Sequence, residues 1–179
     1  GTFTGYGEGF DLEAAPTRLQ ALIMFIRVLG EEEQALAWSG TTPFKDIEKG
    51  SQAEHYVGYA YEKGYTNGYT ATSFKPAGAV NAYQYTEFVL RAMGYSSAAN
   101  KDLSDTLLRA VNAGVLTDGD AAMLQSAAFL RAQLVYISYY ALEADLPDGS
   151  QSLADYLMDL GVFTRDEWRS SWKLVKSER

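Results

Sequence analysis

The sequence predicts a mostly α-helical fold: a pseudo-three-fold assembly of helix-loop-helix repeats, with an N-terminal half-repeat completed by a C-terminal one. Three observations predict it. Apolar residues recur at helical spacing in three separate stretches, the stretches share one register, and a second set of helix-like segments stops each time at a glycine. With 179 residues, 47% of them hydrophobic, the chain can bury one sizeable core, so a single domain over 1–179 is expected.

The second helix of each unit carries the register. Ala21, Met24, Phe25, Val28 and Leu29 follow the i, i+3, i+4, i+7, i+8 spacing of one helix face. The same face recurs at Tyr85, Phe88, Val89, Ala92 and Met93, and again at Leu134, Ile137, Ser138, Ala141 and Leu142, where Ser138 alone departs. The same displacements align Phe10 with Phe74 and Met123, and Gln20 with Gln84 and Gln133. Arg27 aligns with Arg91 and Gly30 with Gly94, a basic residue near the helix end and a glycine where a C-cap belongs.

The first helices align in the same way. Val57, Ala60, Tyr61 and Gly64 match Leu107, Ala110, Val111 and Gly114, then Ala154, Leu157, Met158 and Gly161. The chain therefore opens on a lone second helix (5–30), runs through complete units at 44–95 and 101–143, and ends on a lone first helix (147–163). Closure is expected because a helix pair that cannot bury its face alone gains by it. The turn Gly5-Tyr6-Gly7-Glu8-Gly9-Phe10 resembles what should follow Gly161-Val162-Phe163. Glu31 to Thr42 reads as a linker with an acidic start, and Leu146-Pro147-Asp148-Gly149 as a turn. The tail 164–179 sets Trp168, Trp172, Leu174 and Val175 among charges, either as a short amphipathic cap helix or as a ragged end.

Composition excludes several classes. A net charge of −8 argues against a nucleic-acid partner, which needs a basic footprint. The apolar run Ala21 to Leu29 is broken by Arg27, and no run approaches the roughly 18–20 residues of a membrane span. The absence of cysteine removes thiol and disulfide chemistry and fits an exported bacterial protein, though cytosolic proteins share it. The opening Gly1-Thr2-Phe3 has neither an initiator Met nor a leader pattern, as expected of an excised piece. The single histidine, His55, lies mid-helix without a His or Cys partner; no Gly-rich phosphate loop and no metal-ligand cluster is present. Nothing singles out a carboxylate pair, so the expectation is no enzyme and no cofactor.

Phe44-x-Asp46, Gly64-Tyr65-Thr66-Asn67-Gly68-Tyr69 and Phe74-x-Pro76, with Thr17-Arg18-Leu19-Gln20 and Arg131-Ala132-Gln133, form an ordered set. In that order they resemble the S-layer homology module, a repeat found in threes on bacterial cell-surface proteins. The departures are specific. Asn81-Ala82-Tyr83-Gln84 has lost the motif arginine, each motif Glu is Gln, and Gln52 stands where the family has Trp.

The resemblance implies a non-catalytic anchor outside the cell, on a bacterial cell wall, whose grooves between units bind an anionic secondary polysaccharide. It makes Arg18 and Arg131 the carboxylate-binding pair and Asp46, Gln20, Gln133 and Tyr69 the contacts to sugar hydroxyls, with the middle unit the weakest groove. An arginine at a helix start, beside free amides and the positive dipole end, suits a carboxylate. Each residue also has a plain structural role open to it. Gln20, Gln84 and Gln133 stand near N3, where Gln can close a capping box, with Thr17 placed as its N-cap in the first unit only; Asp46 stands where it ends a turn, and the arginines where they pair or face solvent. Tyr56, Tyr59 and Tyr61 fall inside a helix and suit packing as well as a sugar platform. The alternative function is a degenerate module for protein–protein interaction or self-assembly among surface proteins, which would show an exposed apolar patch.

Overall fold

The computed structural model describes residues 11–98 and 103–170. These residues are mostly helical: α1 Arg18–Val28, α2 Glu32–Ala37, α3 Gln52–Glu62, α4 Ala82–Ala92, α5 Thr106–Asn112, α6 Asp118–Ser126, α7 Arg131–Glu143 and α8 Leu153–Asp159. A further helical stretch begins at 165–170. Extended pairing among the described residues is limited to isolated bridges, Thr17 with Ala79, Thr70 with Ser73 and Asp145 with Ser152. The expected turn at 5–10 and most of the tail lie outside the described residues.

Local chemistry accounts for the helix ends. Thr17 Oγ1 accepts from Gln20 N at 3.2 Å while Gln20 Oε1 accepts from Thr17 N at 3.1 Å, a reciprocal cap on α1. Asn81 and Gln84 close the same box on α4. Leu130 has no side-chain acceptor, so α7 keeps only half of it, Gln133 Oε1 accepting from Leu130 N at 2.9 Å. Gly30 ends α1 at φ +72°, and a Cβ there would fall 2.5 Å from Val162, so its lack of a side chain also admits the C-terminal part of the chain.

The centre is built by α1, α4 and α7, which pack on one another; α3 lies against α1 and α2, α5 against α4 and α6, and α8 against α7. Phe25 meets the Tyr85 ring edge-on at 6.1 Å. The buried Tyr85 hydroxyl lies 2.5 Å from Ser138 Oγ, which donates in turn to Leu134 O at 2.8 Å. Ser138, the polar residue at an apolar position of the repeat, is thus the partner of a phenol buried away from solvent.

Two segments differ from expectation. The acidic linker forms α2, because Glu32 and Glu33 sit in its first turn, favourable to the helix dipole, and Ala35 is buried. Its acids are tertiary partners: Glu32 Oε1 accepts from Tyr56 Oη at 2.5 Å and pairs with Arg27 Nε at 2.7 Å, and Glu31 accepts from Tyr65 Oη at 2.9 and 3.0 Å. In the third unit, α6 occupies the stretch that corresponds to residues 69–77 of the second. It is capped by Thr117 with Asp120 at N3.

Replacing Ser138 with Ala should cost about 1–3 kcal/mol in urea unfolding, the price of an unpaired buried hydroxyl. Adding Tyr85→Phe should restore most of it. Equal loss in the single and double variants would show that the pair carries no energy.

Candidate functional site

A groove of about 900 Å³ lies between the start of α4, the 66–71 loop and the residues Ser97, Ala98 and Leu103, with Arg18, Glu87, Phe88 and Arg91 in its lining. Its floor is set by Arg18, the first residue of α1, only 3% exposed. Arg18 Nε donates to Phe74 O at 2.8 Å. Its guanidinium carbon lies 4.9 Å from the Phe74 ring centre, 5.5 Å from Phe88 and 5.9 Å from Tyr69. Burial lowers its pKa to about 10, against the opposing pull of Tyr69 and Asp46, so it stays charged at neutral pH. Among the described residues, no acceptor meets its Nη groups.

The Phe74 carbonyl is held in place by Asp46. Asp46 Oδ1 accepts from Phe74 N at 2.9 Å, and Oδ2 accepts from Lys75 N at 2.8 Å and Ser73 Oγ at 2.7 Å. Partial burial works against its charge, but these donors from Phe74, Ser73 and Lys75 prevail and hold its pKa below the usual value. Lys75 has φ +57° directly before Pro76, a left-handed conformation that a residue preceding proline avoids. Asp46 stabilises this strained turn, and the turn in turn seats Arg18.

Tyr69 is 50% exposed at the groove rim, with Lys75 Nζ 3.6 Å from its ring centre. Gly68, at φ +81°, allows the loop to pass the Phe44 ring, where a Cβ would approach to 2.3 Å. Gln20 and Gln133 both cap their helices. Arg131 starts α7 and is not among the residues lining this groove; it is half-buried, 3.5 Å from Asp11 Oδ2. Of the expected site residues, the structure brings Arg18 and Tyr69 together in the groove, with Asp46 behind them. The first amides of α1 are not free: Arg18 N donates to Gly78 O at 2.9 Å and Leu19 N to Pro76 O at 3.2 Å.

Sequence reasoning missed the buried charge cluster beneath the groove. Glu87, on α4, accepts from Ala98 N at 2.8 Å, Thr106 Oγ1 at 3.0 Å and Arg109 Nη1 at 2.7 Å. Arg91 Nε also lies 2.8 Å from Glu87 Oε1, an ion pair by distance without hydrogen-bond alignment. Arg109 Nη2 donates to Ser96 O. Burial pushes the Glu87 carboxyl up, but the Ala98 amide and the two arginines outweigh it and hold its pKa below the ordinary range. The Glu87–Arg91 spacing of four residues was the available sequence signal.

Among the described residues no group of three or more His, Asp or Glu could hold a metal ion, and no helix is long and apolar enough to cross a membrane. His55 Nδ1 lies 2.6 Å from Trp38 O.

Glu87→Gln should destabilise the fold by about 3–5 kcal/mol at neutral pH, because two arginines lose their buried counter-charge. A depressed folded pKa contributes stability that is full above the unfolded value of about 4.3 and is lost as pH falls through the folded value. The gap between wild type and variant in urea titrations should therefore narrow below about pH 4. A gap that does not change with pH would refute this account.

Two comparisons bear on the family. Residues 43–81, from Pro43 through α3 and the groove loop to the cap of α4, match the S-layer homology domain. A cell surface protein of Thermoanaerobacter kivui is 30% identical over 126 residues, 64% of this chain; the chain spans about 16% of that relative's length.

Proposed function

We propose that this chain, which carries an S-layer homology domain at residues 43–81, is a non-catalytic module that anchors a bacterial surface protein to the cell wall by binding an acidic polysaccharide in the Arg18 groove. The observation that carries the reading is the Arg18 guanidinium: charged, buried, ringed by aromatic faces, and without an acceptor for its Nη groups among the described residues. A desolvated guanidinium fork suits a carboxylate, and the half-exposed Tyr69 with Asn67 and Gln84 suits the face and hydroxyls of a sugar.

The fold belongs to the same proposal. The units at 44–95 and 101–143 and the halves at 5–30 and 147–163 form a pseudo-three-fold module, with 164–179 as its tail. The mutual packing of α1, α4 and α7 supports this, as does the seat of Val162 on Gly30, which joins the two half-units. Asp46, Gln20 and Gln133 act in support of the groove and the caps, and Arg131 lies apart from the groove. For the protein–protein alternative, the most exposed large apolar residues among those described are Leu108 on α5 and Leu160 after α8.

The test is co-sedimentation with cell-wall sacculi, before and after chemical removal of the secondary polymer. Wild type should bind only the untreated wall. Arg18→Gln, checked for an intact melt, should bind about 10- to 100-fold more weakly, the loss of a charge-assisted pair, whereas Arg131→Gln should bind nearly as wild type. Binding to the stripped wall, or indifference to Arg18→Gln, would overturn the reading.

A further inference from the structure

We infer that Asn67 is the chain's site of spontaneous deamidation, that the Thr66 hydroxyl holds the reaction in check, and that its completion places a new carboxylate in the groove that Arg18 lines. The chemistry stands on the loop alone; its consequence for binding rests on the polysaccharide reading.

The chain has four asparagines, Asn67, Asn81, Asn100 and Asn112, followed in turn by Gly, Ala, Lys and Ala. Deamidation begins when the main-chain nitrogen of the next residue, having given up its proton, attacks the side-chain carbonyl carbon. A cyclic imide forms and ammonia leaves. Water then opens the imide at either carbonyl, to an aspartyl residue or to an isoaspartyl one with an extra methylene in the main chain. The net exchange is water for ammonia, and no oxidant or reductant takes part. A Cβ on the following residue hinders the attack, so glycine is the most reactive successor, and Asn67-Gly68 is the one such pair in the sequence.

The fold cannot dispense with Gly68. It stands at φ +81°, and a Cβ there would lie 2.3 Å from the Phe44 ring and 2.7 Å from Thr70 O. Asn67 is exposed, and its side chain meets no hydrogen-bond partner among the described residues. The reactive pair is therefore set by the turn, and restraint has to come from its neighbours. Gly68 N, the attacking atom, donates to Thr66 Oγ1 at 3.1 Å. Thr66 is 1% exposed, so water does not compete for its hydroxyl. On the far side Tyr69 N and Thr70 N both donate to Ser73 O, at 2.8 and 3.0 Å, which limits the swing that would bring Gly68 N onto Asn67. The other described asparagines are held differently. Asn81 Oδ1 accepts from Gln84 N at 2.9 Å, and the nitrogen after Asn112, that of Ala113, donates to Arg109 O at 2.9 Å.

The product changes the groove. Among its described lining residues, Arg18 and Arg91 stand against one carboxylate, Glu87. Conversion at position 67 makes the balance two against two, and hydrolysis does not run backwards. The isoaspartyl form also lengthens the main chain where Gly68 threads past Phe44. The loop thus carries a one-way change of charge.

The experiment incubates wild type, Thr66→Val and Thr66→Ser in mildly alkaline buffer, folded and in urea, and follows each asparagine by peptide mass mapping. In the folded protein, Asn67 of the Val variant should convert about three- to tenfold faster than in wild type, the contribution of one hydrogen bond. The Ser variant keeps the hydroxyl and should stay near wild type. In urea all three should convert alike and faster than when folded, with Asn67 ahead of Asn81 and Asn112. Equal folded rates in wild type and Thr66→Val, or equal acceleration at every asparagine, would overturn the role of Thr66. An Asn67 no faster than the others in urea would overturn the site. For the charge, Asn67→Asp should bind sacculi at least about fivefold more weakly than Asn67→Ser, which removes the amide without adding a carboxylate. Equal binding by the two, with wild type bound, overturns the consequence for the groove, whereas wild type that ignores the wall defeats the polysaccharide reading and leaves the deamidation site to the mass data.

Discussion

The seat of α1 on the 73–78 turn is the junction on which the groove depends. Three donors from the start of α1, Arg18 N, Arg18 Nε and Leu19 N, meet three carbonyls of that turn, Gly78, Phe74 and Pro76. The turn is not a conformation that Lys75 and Pro76 would adopt alone; it persists because Asp46 accepts from three donors along it. Backbone strain, one carboxylate and one guanidinium therefore form a single mechanical unit. Release of any member would move the floor of the groove, since Phe74 is at once Arg18's acceptor and the ring beneath it.

Electrostatics explain why such a floor can exist in an acidic protein. A buried arginine is costly unless it is compensated. Arg18 is compensated by a carbonyl and by aromatic faces, with no carboxylate in contact among the described residues. Arg91 and Arg109 are treated in the opposite way. Glu87 absorbs much of their charge and binds α4 to α5 and to the 96–98 backbone. The groove is thus lined by one arginine paired with a carboxylate, Arg91, and one held by a carbonyl and aromatic rings, Arg18.

The differences among the repeats carry as much information as their likeness. Caps, stripes and glycine stops recur because every helix must satisfy its end groups and bury a face. The connecting segments do not recur. One is a loop held by Asp46, another is the helix α6, and the change decides which helix start is covered by its neighbour and which opens on the groove.

The sequence alone marked the helices α1, α3, α4, α5, α7 and α8 and the Thr17 cap of α1, but not α2, α6 or the Asn81 cap of α4. Gln20, Gln84 and Gln133 could be read as N3 capping residues, because a cap needs nothing beyond a few neighbouring positions. It also marked Arg18 and Tyr69, which the structure brings into one groove. Only the tertiary structure decided that Asp46 faces a turn nearly thirty residues away, that Glu31 and Glu32 serve the hydroxyls of Tyr65 and Tyr56, and that Ser138 answers Tyr85. It alone set Arg18 and Arg131 apart, one buried under aromatic rings and the other half-exposed beside Asp11. The reason is physical: periodicity and capping are local and leave a pattern in adjacent residues, whereas the partner of a buried polar group is chosen by packing between distant segments, which no local pattern records.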